Sequence, residues 1–138
     1  MDRVSRYAPL AGRILLALIF IMSGLNKIGA WDQTVGYMAA KGMPMVPLFL
    51  GGAIAFEVLG GLSVLLGFKA RLGAAALVVF LVPASIIFHN FWAFEGMEQQ
   101  TQMVMFLKNV SILGGLLLVI GMGAGPLSVD QRKPKTVS

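Results

Sequence analysis

The sequence predicts an all-α integral membrane protein: a four-transmembrane-helix bundle with a short interfacial helix between spans one and two. Three observations predict it. Hydrophobic residues make up 57% of the 138-residue chain and charged residues only 12%, whereas a soluble domain of this size needs far more polar surface. Four apolar stretches are each long enough to cross about 30 Å of hydrocarbon as a helix. Basic residues gather beside those stretches, the pattern that sets membrane topology. That placement accounts for the net charge of +5, which in a soluble chain would suggest nucleic acid. So few basic residues remain free that no nucleic-acid partner is expected. The chain has no cysteine, which excludes disulfides, thiolate catalysis and cysteine-bound metal or iron–sulfur sites. One histidine and few acids give no metal site to predict.

The chain reads as one membrane domain over 1–138, with spans at about 10–29, 45–68, 72–89 and 102–124. Residues 1–9 are short and basic, and Pro9 suits the first turn of a helix. A basic start before an apolar run also fits a signal peptide, but no small-x-small site directly follows the run. In the first span Arg13 lies near the start, at the cytoplasmic interface, and its stem can snorkel to the headgroups. The far end reads SGLNKIG, with Asn26 and Lys27 at the interface. Residues 30–44 are too polar and too short to span. Trp31, Val35 and Met38 recur at helical spacing, which predicts an amphipathic helix in the interface, ended by Gly42 and Pro44. It is either a plain anchor or a lid over a polar site.

The second span carries Glu57 about halfway along. A bare carboxylate at that depth is expensive, so Glu57 needs a partner, a proton or a polar cavity. Gly51, Gly52, Gly60, Gly61 and Gly67 leave bare backbone for close helix packing. Lys69 and Arg71 form a tight basic turn. Ala74, Ala75 and Ala76 give the third span a small packing surface, and Pro83 should kink it. His89, Asn90, Phe91 and Trp92 mark its far interface. The fourth span contains Lys108 and Asn109, with Gly114, Gly115 and Gly121 for close approach, and Gly123, Gly125 and Pro126 to stop it. Residues 131–138 read as a disordered basic tail.

Charge sets the orientation. With the N-terminus in the cytoplasm, the inner segments hold Arg3, Arg6, Arg13, Lys69, Arg71, Arg132, Lys133 and Lys135, against Lys27 and Lys41 outside. Both termini are therefore predicted to be cytoplasmic. Short turns make neighbouring helices antiparallel.

This topology gathers a buried polar site on the outer side: Asn26, Lys27, Glu57, His89, Lys108 and Asn109. At about 1.5 Å per residue, Lys108 lies roughly 9 Å into its span and Glu57 about 18 Å beyond Met45. A lysine stem reaches far enough to make Lys108 the expected partner of Glu57, with Lys27 and His89 at the outer mouth. Phe20, Phe56, Phe88, Phe91, Trp92 and Phe106 are candidate ligand walls. This mix suits a flat amphipathic ligand with carbonyl oxygens, such as a quinone head. A basic side chain stabilises charge on such an oxygen, and a histidine relays a proton. Two other roles stay open. The pair could simply fix helix register, or the site could serve solute or proton transport, which four spans would support as a homo-oligomer.

The stretches GRILLALIFIMSGLNKI, FEVLGGLSVLLGF, FHNFW and MVMFLKNVSILGGLLLVIGMGAGPLSVD resemble the DoxX family of small inner-membrane proteins. Phe106-Leu107-Lys108-Asn109 and Gly125-Pro126 with Ser128 and Asp130 carry most of the likeness, which covers residues 12–130. The resemblance implies a four-helix membrane fold in the bacterial inner membrane and an ill-defined association with quinone-linked membrane redox complexes, which makes quinone a candidate cofactor. It places the family's polar positions on Arg13, Lys27, Glu57, His89, Lys108 and Asn109. It implies no settled catalytic step, and a non-enzymatic scaffold or assembly subunit remains an alternative. Without cysteine the chain itself does no thiol exchange.

Overall fold

The computed structural model describes residues 2–132. Five α-helices follow in order: α1 (Arg3–Gly29), α2 (Trp31–Ala40), α3 (Val46–Leu66), α4 (Ala70–Phe88) and α5 (Gly96–Met122). Single 3-10 turns occupy Phe91–Ala93 and Val129–Gln131. The long helices α1, α3, α4 and α5 are each apolar and long enough to cross a membrane, and the short α2 sits between the first two, as predicted. Residues 133–138, the bulk of the expected tail, lie outside the described residues.

Two helices start earlier than their apolar runs. Asp2 caps α1, its carboxylate accepting from the Ser5 N–H at 2.7 Å, a bond that holds its pKa below the ordinary value. The cap moves the helix start back to Arg3, so Pro9 lies inside α1 rather than in its first turn. At α5, Glu95 holds the cap position and Glu98 lies in the first turn, where a negative charge favours the helix dipole. α5 therefore begins at Gly96, ahead of the fourth span expected from about 102.

α1 packs along α3, α3 along α4, and α4 along α5, while α1 and α5 touch at few points. The core between them consists of Ala17, Phe20, Val64, Ala74, Leu77, Leu81 and Leu116. A second cluster of Met38, Val46 and Leu50 fastens α2 onto the start of α3. Close approach is set by particular glycines. A side chain at Gly61 would meet Ile21 and Ala17 of α1, and one at Gly60 would meet Leu77 and Gly73 of α4. Gly51, Gly52, Gly114 and Gly121 have open space where a Cβ would stand. Those four do not serve the close helix packing expected of them.

The segment after α5 folds back to lock the end of the bundle where the described chain begins and ends. Asp130 accepts from the backbone N–H groups of Lys69 at 2.6 Å and Ala70 at 2.9 Å. Its own N–H donates to Gly67 O at 2.8 Å. Lys69 sits in the left-handed region at φ 48°, which costs a side-chain-bearing residue energy, and Asp130 holds it there. Arg13 joins this lock. It is 3% exposed, and Nη2 donates to Leu127 O at 2.9 Å. The expected reach to the headgroups is thus corrected: the side chain turns inward because the returning segment offers it a carbonyl. Asp130→Ala removes both cap bonds at α4 and should lower stability by about 1–2 kcal/mol. A lower thermal midpoint in detergent, partly restored by Asp130→Asn, is the expected reading.

Candidate functional site

Glu57 is placed by helix geometry. Gly24 of α1 and Glu57 of α3 lie at one level, since a Cβ on Gly24 would stand 3.3 Å from that of Glu57. Glu57 is 1% exposed. Lys27, nearly a turn further along α1, supplies its counter-charge: Nζ lies 2.7 Å from Glu57 Oε1 and donates also to Ser23 Oγ at 2.8 Å. Side chains on a helix lean toward its N-terminus. Lys27 therefore runs back over Ser23 into the bundle rather than out to the interface. Its ammonium also lies 5.7 Å from the centre of the Phe80 ring. The other carboxylate oxygen, Oε2, is buried without a hydrogen-bond partner.

Lys27, not Lys108, is thus the ion-pair partner, and the pair is the only one among the described residues. Counting depth from the span ends misplaces the partner for two reasons. α3 continues past the end of α1 to pack on α2. α5 begins at Gly96, not near Gln102. Lys108 is exposed, and its Nζ lies 3.5 Å from Met105 Sδ. One residue on, Asn109 turns about 100° round α5 and donates to Ser85 Oγ at 2.9 Å; Ser85 in turn donates to Leu81 O at 2.7 Å.

A cavity of about 310 Å³ lies beside the pair, and Lys27, Glu57, His89, Lys108 and Asn109 all line it. Its apolar walls include Phe20, Phe80 and Phe88. Tyr37 of α2 also lines it and stacks on Phe88 with ring centres 5.6 Å apart. His89 Nδ1 hydrogen-bonds Gln102 Oε1 at 2.9 Å, joining the end of α4 to α5.

Several expected members face elsewhere. Asn26 is exposed and lines no part of the cavity, since Lys27 beside it takes the inward face. Phe56 is 42% exposed, because its neighbour Glu57 points in. Phe91, Trp92 and Phe106 form their own edge-to-face cluster, with centres 5.3–6.0 Å apart, where the 3-10 turn meets α5. Ser23, Phe80, Ser85 and Gln102 were not anticipated. Only Ser23 carried a legible signal, four residues before Lys27, the spacing of facing side chains on a helix.

The arrangement offers two ammonium donors, one orphaned carboxylate oxygen and flat apolar walls. Such a set can donate hydrogen bonds to oxygen atoms and hold a flat ring, and no group of three or more potential metal ligands occurs among the described residues.

Comparison with known proteins adds family context. A family model described as DoxX matches residues 8–90, a range that contains Lys27, Glu57 and His89. The chain is 37% identical over 123 residues to inner membrane protein YphA of Escherichia coli (strain K12), covering 89% of this chain and 88% of that protein. It is 36% identical over 133 residues to inner membrane protein YqjF of the same organism, covering 95% of each. It is 32% identical over 132 residues to the ER-derived vesicles protein ERV29 of Saccharomyces cerevisiae, covering 96% of this chain but 36% of that longer protein. No solved structure matches the chain.

Proposed function

The chain belongs to the DoxX family, and from that premise we propose that it is a quinone-binding component of a membrane redox complex. Two relatives are named inner membrane proteins and four helices here are long and apolar enough to cross a membrane, which supports a multi-pass inner-membrane protein. Its orientation follows from charge. The end of the bundle with Arg3, Arg6, Lys69, Arg71 and Arg132 faces the cytoplasm, so the cavity lies toward the periplasmic side. The lipid bilayer is its first partner, and membrane redox proteins are the further partners this reading requires.

One observation carries the proposal: a fully buried carboxylate, half satisfied by Lys27, borders a cavity rather than packed side chains. A pair that only fixed helix register would have its remaining oxygen met by protein. Here Glu57 Oε2 has no partner, and a ligand hydroxyl that reached it would supply one. Lys27 and Lys108 can each donate to a carbonyl oxygen, and Phe20, Phe80, Phe88 and Tyr37 can hold a ring. A bound quinone would supply two-electron, two-proton redox chemistry. The chain's own part is to seat the ring, to balance charge near its oxygens and to hold a proton at Glu57. His89 is fixed at the cavity rim by Gln102, where a proton can pass.

The scaffold alternative is favoured by α5, which fully buries only Leu116 and leaves Leu107, Val110, Leu117 and Leu118 exposed. Binding separates the two. A tail-less benzoquinone titrated into the protein in lipid nanodiscs should bind saturably. Glu57→Gln should weaken it roughly tenfold, the loss of one charge-assisted hydrogen bond. An unsaturable, variant-independent signal would leave the scaffold.

A further inference from the structure

We infer that the ligand of the Lys27–Glu57 cavity is an amphiphile whose apolar tail leaves the cavity sideways, between α1 and α5. The inference rests on the head-binding reading above and adds the shape of the ligand and its route.

The bundle is closed on three seams and loose on the fourth. α1–α3, α3–α4 and α4–α5 pack along their lengths, whereas α1 and α5 meet at few points. A groove of about 780 Å³ runs down that seam. Pro9, Gly12 and Leu16 of α1 and Ser111, Gly115 and Val119 of α5 line it. Small residues widen it: a Cβ at Gly12 would meet nothing within 4 Å. From Pro9 to Ile19 the groove follows α1 for ten residue-to-residue steps, or about 15 Å, half the depth of the hydrocarbon layer.

Groove and cavity abut. Ile19, Lys108 and Ile112 line both. The cavity alone, about 310 Å³, lies at the small end of ligand sites, roughly 300–1,000 Å³, and has room for a ring but not a long tail. Buried Met38, Leu50 and Leu81 back its inner side, and the half-exposed Tyr37 stacks on Phe88 at its rim. The way past Lys108 is the one that leads a tail into an apolar groove between helices.

Lys108 stands at that junction. It is exposed toward the seam and has no carboxylate partner among the described residues. An ammonium in lipid-facing surroundings is costly unless something polar meets it. A head oxygen drawn to the junction meets it there. A stray bilayer lipid would bring acyl chain to this point, and a second copy of the chain would bring another apolar face. Neither answers Lys108.

Moving a tail from bilayer to groove yields no hydrophobic gain, because lipid is equally apolar. The groove contributes packing and a path. Blocking it should therefore affect the tailed ligand alone. The experiment compares a tail-less benzoquinone with the same ring bearing a decyl tail, each binding to the full chain in phosphatidylethanolamine–phosphatidylglycerol nanodiscs, corrected for empty discs. Gly12→Phe fills the groove from α1 and Ser111→Phe from α5. Each should raise the Kd of the tailed probe roughly tenfold, about 1.4 kcal/mol, and leave the tail-less probe unchanged. Equal effects on both probes, or none on either, would overturn the tail path while the head site, still lost in Glu57→Gln, survives. A phospholipid that copurifies and resists the tailed probe, or a dimer abolished by Gly12→Phe, would also overturn it by assigning the groove elsewhere. Failure of both probes on the unaltered chain would remove the head site itself, and the tail path with it.

Discussion

Lys27→Met should destabilise the bundle by about 3–5 kcal/mol, the range for removing one partner of a buried ion pair. Glu57 is 1% exposed, and Lys27 is its only ionic partner among the described residues. With the ammonium gone, Glu57 either keeps a charge in an apolar interior or gives it up for a proton, and each alternative costs free energy relative to the intact pair. Ser23 loses the donor it accepts from as well. Lys108→Met is the control. Its ammonium is exposed, hydrogen-bonds Met105 Sδ and has no ion-pair partner among the described residues, so its removal leaves no charge orphaned and should not destabilise the bundle. The double variant Lys27→Met/Glu57→Leu removes both charges and should recover most of the loss. Reversible unfolding in mixed micelles, read by far-UV circular dichroism, orders the four proteins. A double variant as unstable as Lys27→Met would mean that the cost comes from packing and not from an orphaned charge.

How much of this was legible follows physical lines. The four spans and α2 could be read directly, because bilayer thickness imposes a length and hydropathy that survive any detail of packing. The collection of Lys27, Glu57, His89, Lys108 and Asn109 round one cavity was legible because antiparallel connectivity alone brings those ends together. The pairing inside that collection was not. It turns on which way a lysine stem leans and on how far α3 overshoots α1, and neither shows in one-dimensional counting. Arg13 escaped for a similar reason: its partner, Leu127 O, lies 114 positions away in sequence, on a segment whose fold-back is set by Asp130. Composition marks Gly51, Gly52, Gly60 and Gly61 as equivalent small residues. Only helix crossing points separate them, and those belong to the assembled bundle.

That separation yields the second large effect. Gly60→Val should cost about 3 kcal/mol or more, at the upper end of overpacking. An added Cβ would stand 2.8 Å from Leu77 Cγ and 3.2 Å from the Gly73 carbonyl oxygen. Leu77 is wholly buried and cannot swing aside, and a backbone oxygen cannot move without shifting α4. The helices must therefore part, opening the core where Leu77 and Val64 meet. Gly60 lies three residues from Glu57, so the same displacement should loosen the cavity and weaken head binding. Gly52→Val carries the same change of residue type to a position with nothing within 4 Å. There the better helix propensity of valine over glycine should leave stability level or raise it by a few tenths of a kcal/mol. Thermal midpoints measured side by side in one detergent decide the matter. If the two variants fall equally, the cost lies in the valine itself, and the close crossing of α3 and α4 at Gly60 and Gly73 cannot be what holds the bundle in register.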